Sequence, residues 1–378
     1  MALDYYIRSG QKRLRCGYTT GTCAALAAMG AARLLLAGSP PETLELMTPK
    51  GILVTAEAAE WSVENGTARC AVVKDGGDDV DITTGHLVEA AVTRTASGLR
   101  LDGGRGVGRV TRPGLDQPVG AAAINRVPRQ MIYAAVQAVC GEAGYGGGLS
   151  IVISVPDGEE LARRTFNPSL GIEGGISILG TSGIVEPMSV QAIVDTIALE
   201  VRQAAASGAR RLMLTPGNYG MGFLKETAPL PEDIPCVKFS NFVGEALDIA
   251  VSEGFTSALL VGHIGKLVKL AGGVMNTHSK WADCRVELFC AHAAVCGASA
   301  DLCRALMDAA TTDACVALLD GAGLRERVLE SLLEAVQRHL DRRTGDRMRA
   351  GAVVFSNEYG LLGQTETAKK IIEQWGQV

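Results

Sequence analysis

The chain has 378 residues, and its hydrophobic fraction of 47% with 46 glycines and only 4% aromatics points to two or three domains packed by Ala, Val and Leu, with many tight turns. A formal net charge of −5 gives no general attraction for nucleic acid or membrane, so an anionic ligand must be met by a local basic patch. The N-terminus has no basic stretch leading into an apolar one, and no run of about 18 uncharged apolar residues occurs, so no membrane span is predicted and a cytoplasmic location is expected.

In chain order, Thr19-Thr-Gly-Thr22 precedes an Ala/Leu-rich helical pattern over 22–36, and its hydroxyls are placed to cap the first turn. This start resembles, weakly, the small-residue helix starts that bind phosphate, which makes Thr19 and Thr20 candidate ligand contacts. Short strand-like runs follow at 44–47, 52–56, Thr67–Val73 and 151–155, with Gly-rich turns between them. These describe an N-terminal two-layer α+β domain over 1–186. Pro187 stops the last strand and Ser189 caps a helix running through 207, so a second domain is expected over 187–378.

The second half reads as a Rossmann-like three-layer α/β domain with a mostly parallel sheet, because helix, strand and turn recur as a unit. Four apolar runs end in small or polar residues: 212–215 into Pro216-Gly-Asn-Tyr-Gly220, 237–240 into Asn241-Phe-Val-Gly244, 258–261 into Gly262-His-Ile-Gly265, and 352–355 into Ser356-Asn-Glu-Tyr-Gly360. In open α/β sheets, ligands sit beyond the carboxyl ends of the strands. That rule nominates Gly217, Asn218, Gly220, Asn241, Gly244, Glu245, Gly262 and Gly265 as cofactor-loop positions and His263, Lys266 and His278 as reactive or ligand-binding side chains. An amphipathic helix over 324–340 is read as core packing.

Other clusters admit two readings. Residues 100–129 carry Arg100, Arg105, Arg109, Arg112, Arg126 and Arg129 against Asp102 and Asp116, which suits either a solvated, ion-paired surface or the carboxylates of a polyanionic small molecule. The turn Lys74-Asp-Gly-Gly-Asp-Asp-Val-Asp81 lacks calcium-loop spacing and is either a structural turn or a set of acceptors that includes Asp79 and Asp81. Cys284, Cys290, His292, Cys296 and Cys303 fit no standard zinc spacing and read as core thiols. There is no P-loop, and Gly103-Gly-Arg-Gly-Val-Gly108 is not expected to follow a strand as a dinucleotide loop would.

Taken together, Arg15-Cys-Gly-Tyr-Thr-Thr-Gly-Thr-Cys-Ala-Ala25, Val73 through Asp81, Gly106-Val-Gly-Arg-Val-Thr-Arg-Pro-Gly114, Asn167 through Thr181, Pro216 through Gly220, Ser240-Asn-Phe-Val-Gly-Glu-Ala246 and Gly262 through His278 resemble the CbiD family. These are the cobalt-precorrin-5B C-1 methyltransferases of anaerobic cobalamin biosynthesis. Gly76 and Val80 stand where the family often has Ala and Pro, and neither changes a polar group.

The resemblance implies methyl transfer from S-adenosylmethionine to C-1 of cobalt-precorrin-5B, giving cobalt-precorrin-6A, with cobalt carried by the substrate and no protein-bound metal. On that reading Arg105, Arg109 and Arg112 engage acetate and propionate groups, and Thr19, Thr20, Lys266 and His278 also face the substrate. Glu245 holds the cofactor's ribose or amino group, and His263, Asp79 or Asp81 manages a proton. A non-catalytic tetrapyrrole carrier of the same pathway is the alternative. A homodimer and transient contacts with other pathway enzymes stay open.

Overall fold

The computed structural model describes residues 3–9, 11–38, 43–165, 167–168, 170–217, 223, 230–231 and 233–376. They form a mixed α/β structure that divides into two compact units, Met1–Val190 and Gln191–Val378.

In the first unit the central element is the helix Thr20–Ala37. Thr19 caps it, its Oγ1 accepting the Thr22 N–H at 3.2 Å, and Gly38 ends it in the left-handed region at φ 78°. By length and hydropathy this helix could cross a membrane, but most of it is buried inside the unit, so its apolar character serves the core. It packs on a five-stranded sheet ordered Glu60–Glu64, Thr67–Val73, Leu87–Thr95, Gly148–Ser154 and Leu99–Gly103. Neighbours in that sheet are antiparallel except the last pair, which is parallel. Val88, Ala90 and Val92 on one strand and Leu149, Ile151 and Ile153 on another are buried at alternate positions, the period expected of a sheet covered on one face. The helix Arg126–Glu142 adds Ile132, Val136 and Val139 to the same core.

The glycine run at 103–108 departs from its sequence expectation. The run Gly103 to Gly108 does follow a strand, Leu99–Gly103, because Gly103 pairs with Ile153 in register. It leads into the two-residue strand Gly106–Val107 instead of a helix, so the geometry of a dinucleotide loop is still not met. Gly106, at φ 72°, lies so close to the Val155 carbonyl that any side chain would collide with it.

The second unit holds a sheet ordered Cys236–Lys238, Arg211–Thr215, Ser257–His263, Arg349–Ser356 and Gly360–Gln364. The first four strands are parallel and the last is antiparallel. Both faces are covered. Leu212, Leu214, Ala258, Leu260, Ala352 and Val354 face the core formed with the helices Val190–Ala206, Val243–Ser252 and Arg325–Thr344. Met213, Leu259, Val261, Val353 and Phe355 pack against the helix Glu366–Gly376 through Ile371 and Trp375. Burial on both faces explains the continuous Val and Leu runs of these strands. Because the four strands are parallel, their carboxyl ends share one edge.

Candidate active site at the strand ends

The strand Ser257–His263 runs two residues beyond the apolar run and delivers His263 opposite Phe355 in the neighbouring strand. His263 is half-buried and caps the short helix Ile264–Leu267, its Nδ1 accepting the Gly265 N–H at 3.1 Å. Its ring stands edge-on to Phe355, with centroids 5.9 Å apart. Nε2 points toward Asp313 Oδ2 at 4.0 Å. Asp313 lies in the first turn of the helix Thr312–Gly321, and its Oδ1 accepts the Ser356 hydroxyl at 2.6 Å.

Lys266, one turn on, donates to the Ser240 carbonyl at 3.1 Å and to Asn241 Oδ1 at 3.0 Å. Burial pushes its ammonium below the ordinary lysine range, and the neighbouring Lys269 adds to the effect. Ser240 has φ 55°, a backbone state that costs a non-glycine residue about 1–3 kcal/mol and that clusters at functional sites. The 240–244 segment is stitched to 275–277 by backbone bonds from Gly244 to Met275 and from Thr277 to Asn241. Lys269, almost wholly buried, donates to the carbonyls of Thr277 and Ala282 at 3.1 and 2.8 Å. Lys269 therefore pins the loop that carries His278, while Lys266 holds the 240–241 segment to which that loop is bonded. His278 itself is exposed, with Nδ1 accepting the Lys280 N–H at 3.0 Å.

The loop glycines differ in what surrounds them. Among the described residues none crowds Gly217, and its carbonyl accepts the buried Thr215 hydroxyl. Gly265 leaves room for the His263 ring. Gly262 is packed by Pro216 and Leu267, and Gly244 by Arg343 and Met275, so at these two positions the missing side chain is filled by protein. Glu245 stands half-buried in the first turn of Val243–Ser252, within the field of Arg343. Asn218 and Gly220 lie outside the described residues.

In the first unit, the sequence candidates are more heavily engaged. Thr19 and Thr20 are buried: the Thr20 hydroxyl accepts the Leu179 N–H at 3.0 Å, and the Thr19 N–H donates to the Gly183 carbonyl. The helix start is thus covered by the 177–183 segment. Asp81 accepts Lys74 Nζ at 2.8 Å and both the N–H and hydroxyl of Thr83. Burial alone would push its carboxyl up, but Lys74 and Thr83 outweigh it and hold the pKa below the usual aspartate value. Asp75 is clamped by Arg15 at 2.6 and 2.9 Å, and Asp78 accepts the Arg15 backbone N–H. The Asp79 carboxylate accepts the Met188 N–H at 3.3 Å, and the Asp79 N–H donates to the Gly76 carbonyl.

Arg109 forks onto Asp102 at 2.6 and 3.0 Å, Arg129 donates to the Ile124 and Ala122 carbonyls, and the Arg112 stem lies against Gly171. Arg105, like Arg100 and Arg126, is exposed. Burial and the neighbouring Cys303 push the Cys290 thiol up, and His292 pairs with Ser331 at 2.8 Å. Among the described residues no three His, Cys, Asp or Glu side chains converge as metal ligands would.

Asp313 and Ser356 escaped the sequence reading as site residues. The recurrence of Phe-Ser-Asn at 239–241 and 355–357 was the available signal for Ser356. The two copies do different work, since Asn241 holds Lys266 while Ser356 orients Asp313.

Fold and site define an α/β protein whose polar side chains gather at the carboxyl edge of a parallel sheet. A family model described as CbiD matches residues 7–187, and one described as the CbiD C-terminal domain matches 276–366. A cobalt-precorrin-5B C(1)-methyltransferase of Ruminiclostridium cellulolyticum is 45% identical over 354 residues, covering 94% of this chain and 92% of its own. One from Alkaliphilus metalliredigens is 42% identical over 372 residues, with 98% and 97% covered. The crystal structure of the cobalamin biosynthesis protein CbiD from Archaeoglobus fulgidus is 31% identical, covers 73% of this chain and 86% of its own, and aligns with a TM-score of 0.40. The chain belongs to the CbiD family.

Proposed function

We propose that this chain methylates cobalt-precorrin-5B at C-1, taking the methyl group from S-adenosylmethionine and giving cobalt-precorrin-6A. The observation that carries this reading is the match, along more than nine-tenths of the chain, to relatives named for that reaction at 42–45% identity.

The methyl donor is a sulfonium and is already activated. The electron-rich ring carbon attacks the methyl in line, the S–CH3 bond breaks, and its electron pair leaves with sulfur as a neutral thioether. Catalysis then rests on positioning and on exclusion of water, and no protein nucleophile is required. We assign the cosubstrate to the strand-end edge of the second unit, where His263 caps one short helix, Lys266 holds Asn241 and Glu245 opens the next helix. The exposed Arg105, with Arg100 and Arg126, supplies forks for substrate carboxylates, whereas Arg109 has Asp102 as a partner to exchange. Asp81 is committed to Lys74, so proton handling within the 74–83 turn falls to Asp79.

The test is an anaerobic incubation with cobalt-precorrin-5B and methyl-labelled S-adenosylmethionine, followed by mass analysis of the corrinoid. Label at C-1 is expected. Tight corrinoid binding with no label transferred would replace the enzyme by a carrier.

A further inference from the structure

His263 and Asp313 present a donor and an acceptor across a gap that neither closes. Because Nδ1 accepts the Gly265 N–H, hydrogen bonding assigns the imidazole proton to Nε2, the nitrogen that faces Asp313. The separation of 4.0 Å is well beyond an N–H···O bond, which closes at about 2.9 Å. Neither side chain is free to swing shut. The ring is held by Gly265 and edge-on by Phe355. The carboxylate is held by the Ser356 hydroxyl, whose oxygen in turn accepts the backbone N–H groups of Glu358 and Tyr359 at 3.0 and 3.3 Å. Ser356 is buried, while His263 and Asp313 are 32% and 26% exposed. The fixed parts are therefore inside and the unmatched pair is within reach of a ligand.

An oxygen placed about 2.8 Å from both atoms of this 4.0 Å pair subtends an angle of about 90°. That geometry suits a hydroxyl, which accepts from Nε2–H and donates to Oδ2 at once. A carbonyl satisfies only the histidine and an ammonium only the aspartate. A phosphate oxygen would meet the Asp313 carboxylate with like charge, and Glu358 follows two residues after Ser356.

We infer that His263 and Asp313 seat a ribose hydroxyl of a nucleoside that carries no phosphate, with Asp313 as a specificity-determining residue no sequence motif marked. The inference rests on the cosubstrate reading above and gives it an address. It also moves His263 from proton handling to cosubstrate binding.

The experiment is calorimetric titration of the full-length protein with S-adenosylhomocysteine and with its 2′,3′-dideoxy analogue. The unaltered protein should prefer the hydroxylated ligand by about tenfold or more, the worth of a hydrogen bond to a charged group. In Asp313→Ala, and in the isosteric Asp313→Asn whose fold is checked by circular dichroism, the preference should shrink toward about twofold. Retention of the full preference in both variants, or its absence in the unaltered protein, overturns the inference. If the unaltered protein binds neither ligand, the cosubstrate reading itself falls, and the seat falls with it.

Discussion

The Lys74 ammonium is 1% exposed and 2.8 Å from a carboxylate, Asp81, that also accepts two bonds from Thr83. Removing one member of such a pair strands the other, and Lys74→Ala is expected to destabilise the protein by about 3 kcal/mol, measured by chemical denaturation. The double replacement Lys74→Met with Asp81→Leu should recover much of that loss, since it removes the unpaired charge. The same carboxylate gives a pH dependence of definite sign. Its folded pKa lies below the ordinary 3.8, so the unfolded chain takes up its proton first as the solution is acidified. The contribution of Asp81 is complete above the ordinary value and is lost as pH falls through it toward the folded one. In Asp81→Asn the slope of stability against pH below about 5 should be shallower than in the parent.

At the scale of elements, the loop after residue 273 is held directly by Lys269 and, through the 240–241 segment, by Lys266. Lys266 grips Asn241, and Lys269 grips the carbonyls of Thr277 and Ala282. Lys269→Met keeps the stem but leaves those carbonyls without their donor, a cost of about 1–3 kcal/mol felt locally. Hydrogen exchange across 274–284 should speed up in that variant while the strand Ser257–His263 stays protected. Unchanged exchange in the loop would mean that its backbone bonds to 241–244 suffice. Much at this scale was legible. An apolar run that breaks into Gly and polar residues is a local signal, and all four strand ends fell within a few residues of their expected places. The strand Leu87–Thr95 and the helix Arg126–Glu142 were not foreseen. The strand alternates Val88, Ala90 and Val92 with Leu87, Glu89, Ala91 and Thr93, a mixture too apolar to show the period, and no side chain of Asn125 caps the helix to announce its start.

For the whole molecule, each unit has its own buried cluster, one built on the helix Thr20–Ala37 and one on the parallel sheet. Two separate cores predict that a fragment spanning 191–378 folds alone and melts cooperatively, which calorimetry on the isolated fragment would show. A broad, non-cooperative transition would mean that the second core needs residues of the first unit.

Sequence by itself determined the four parallel strand ends, the edge where they present His263 and Lys266, and the family, because each depends on residues adjacent in the chain. Tertiary structure alone decided which polar groups meet. Asp313 reaches His263 across 49 intervening positions only because the helix Thr312–Gly321 is seated by Cys315, Val316 and Leu319 in the second core. Thr19 and Thr20, which the sequence offered as helix caps and ligand contacts, are covered because the Thr20 hydroxyl and the Thr19 N–H bond the backbone of 177–183. Which donor finds which acceptor is set by how distant elements pack, and that information is spread over the whole core.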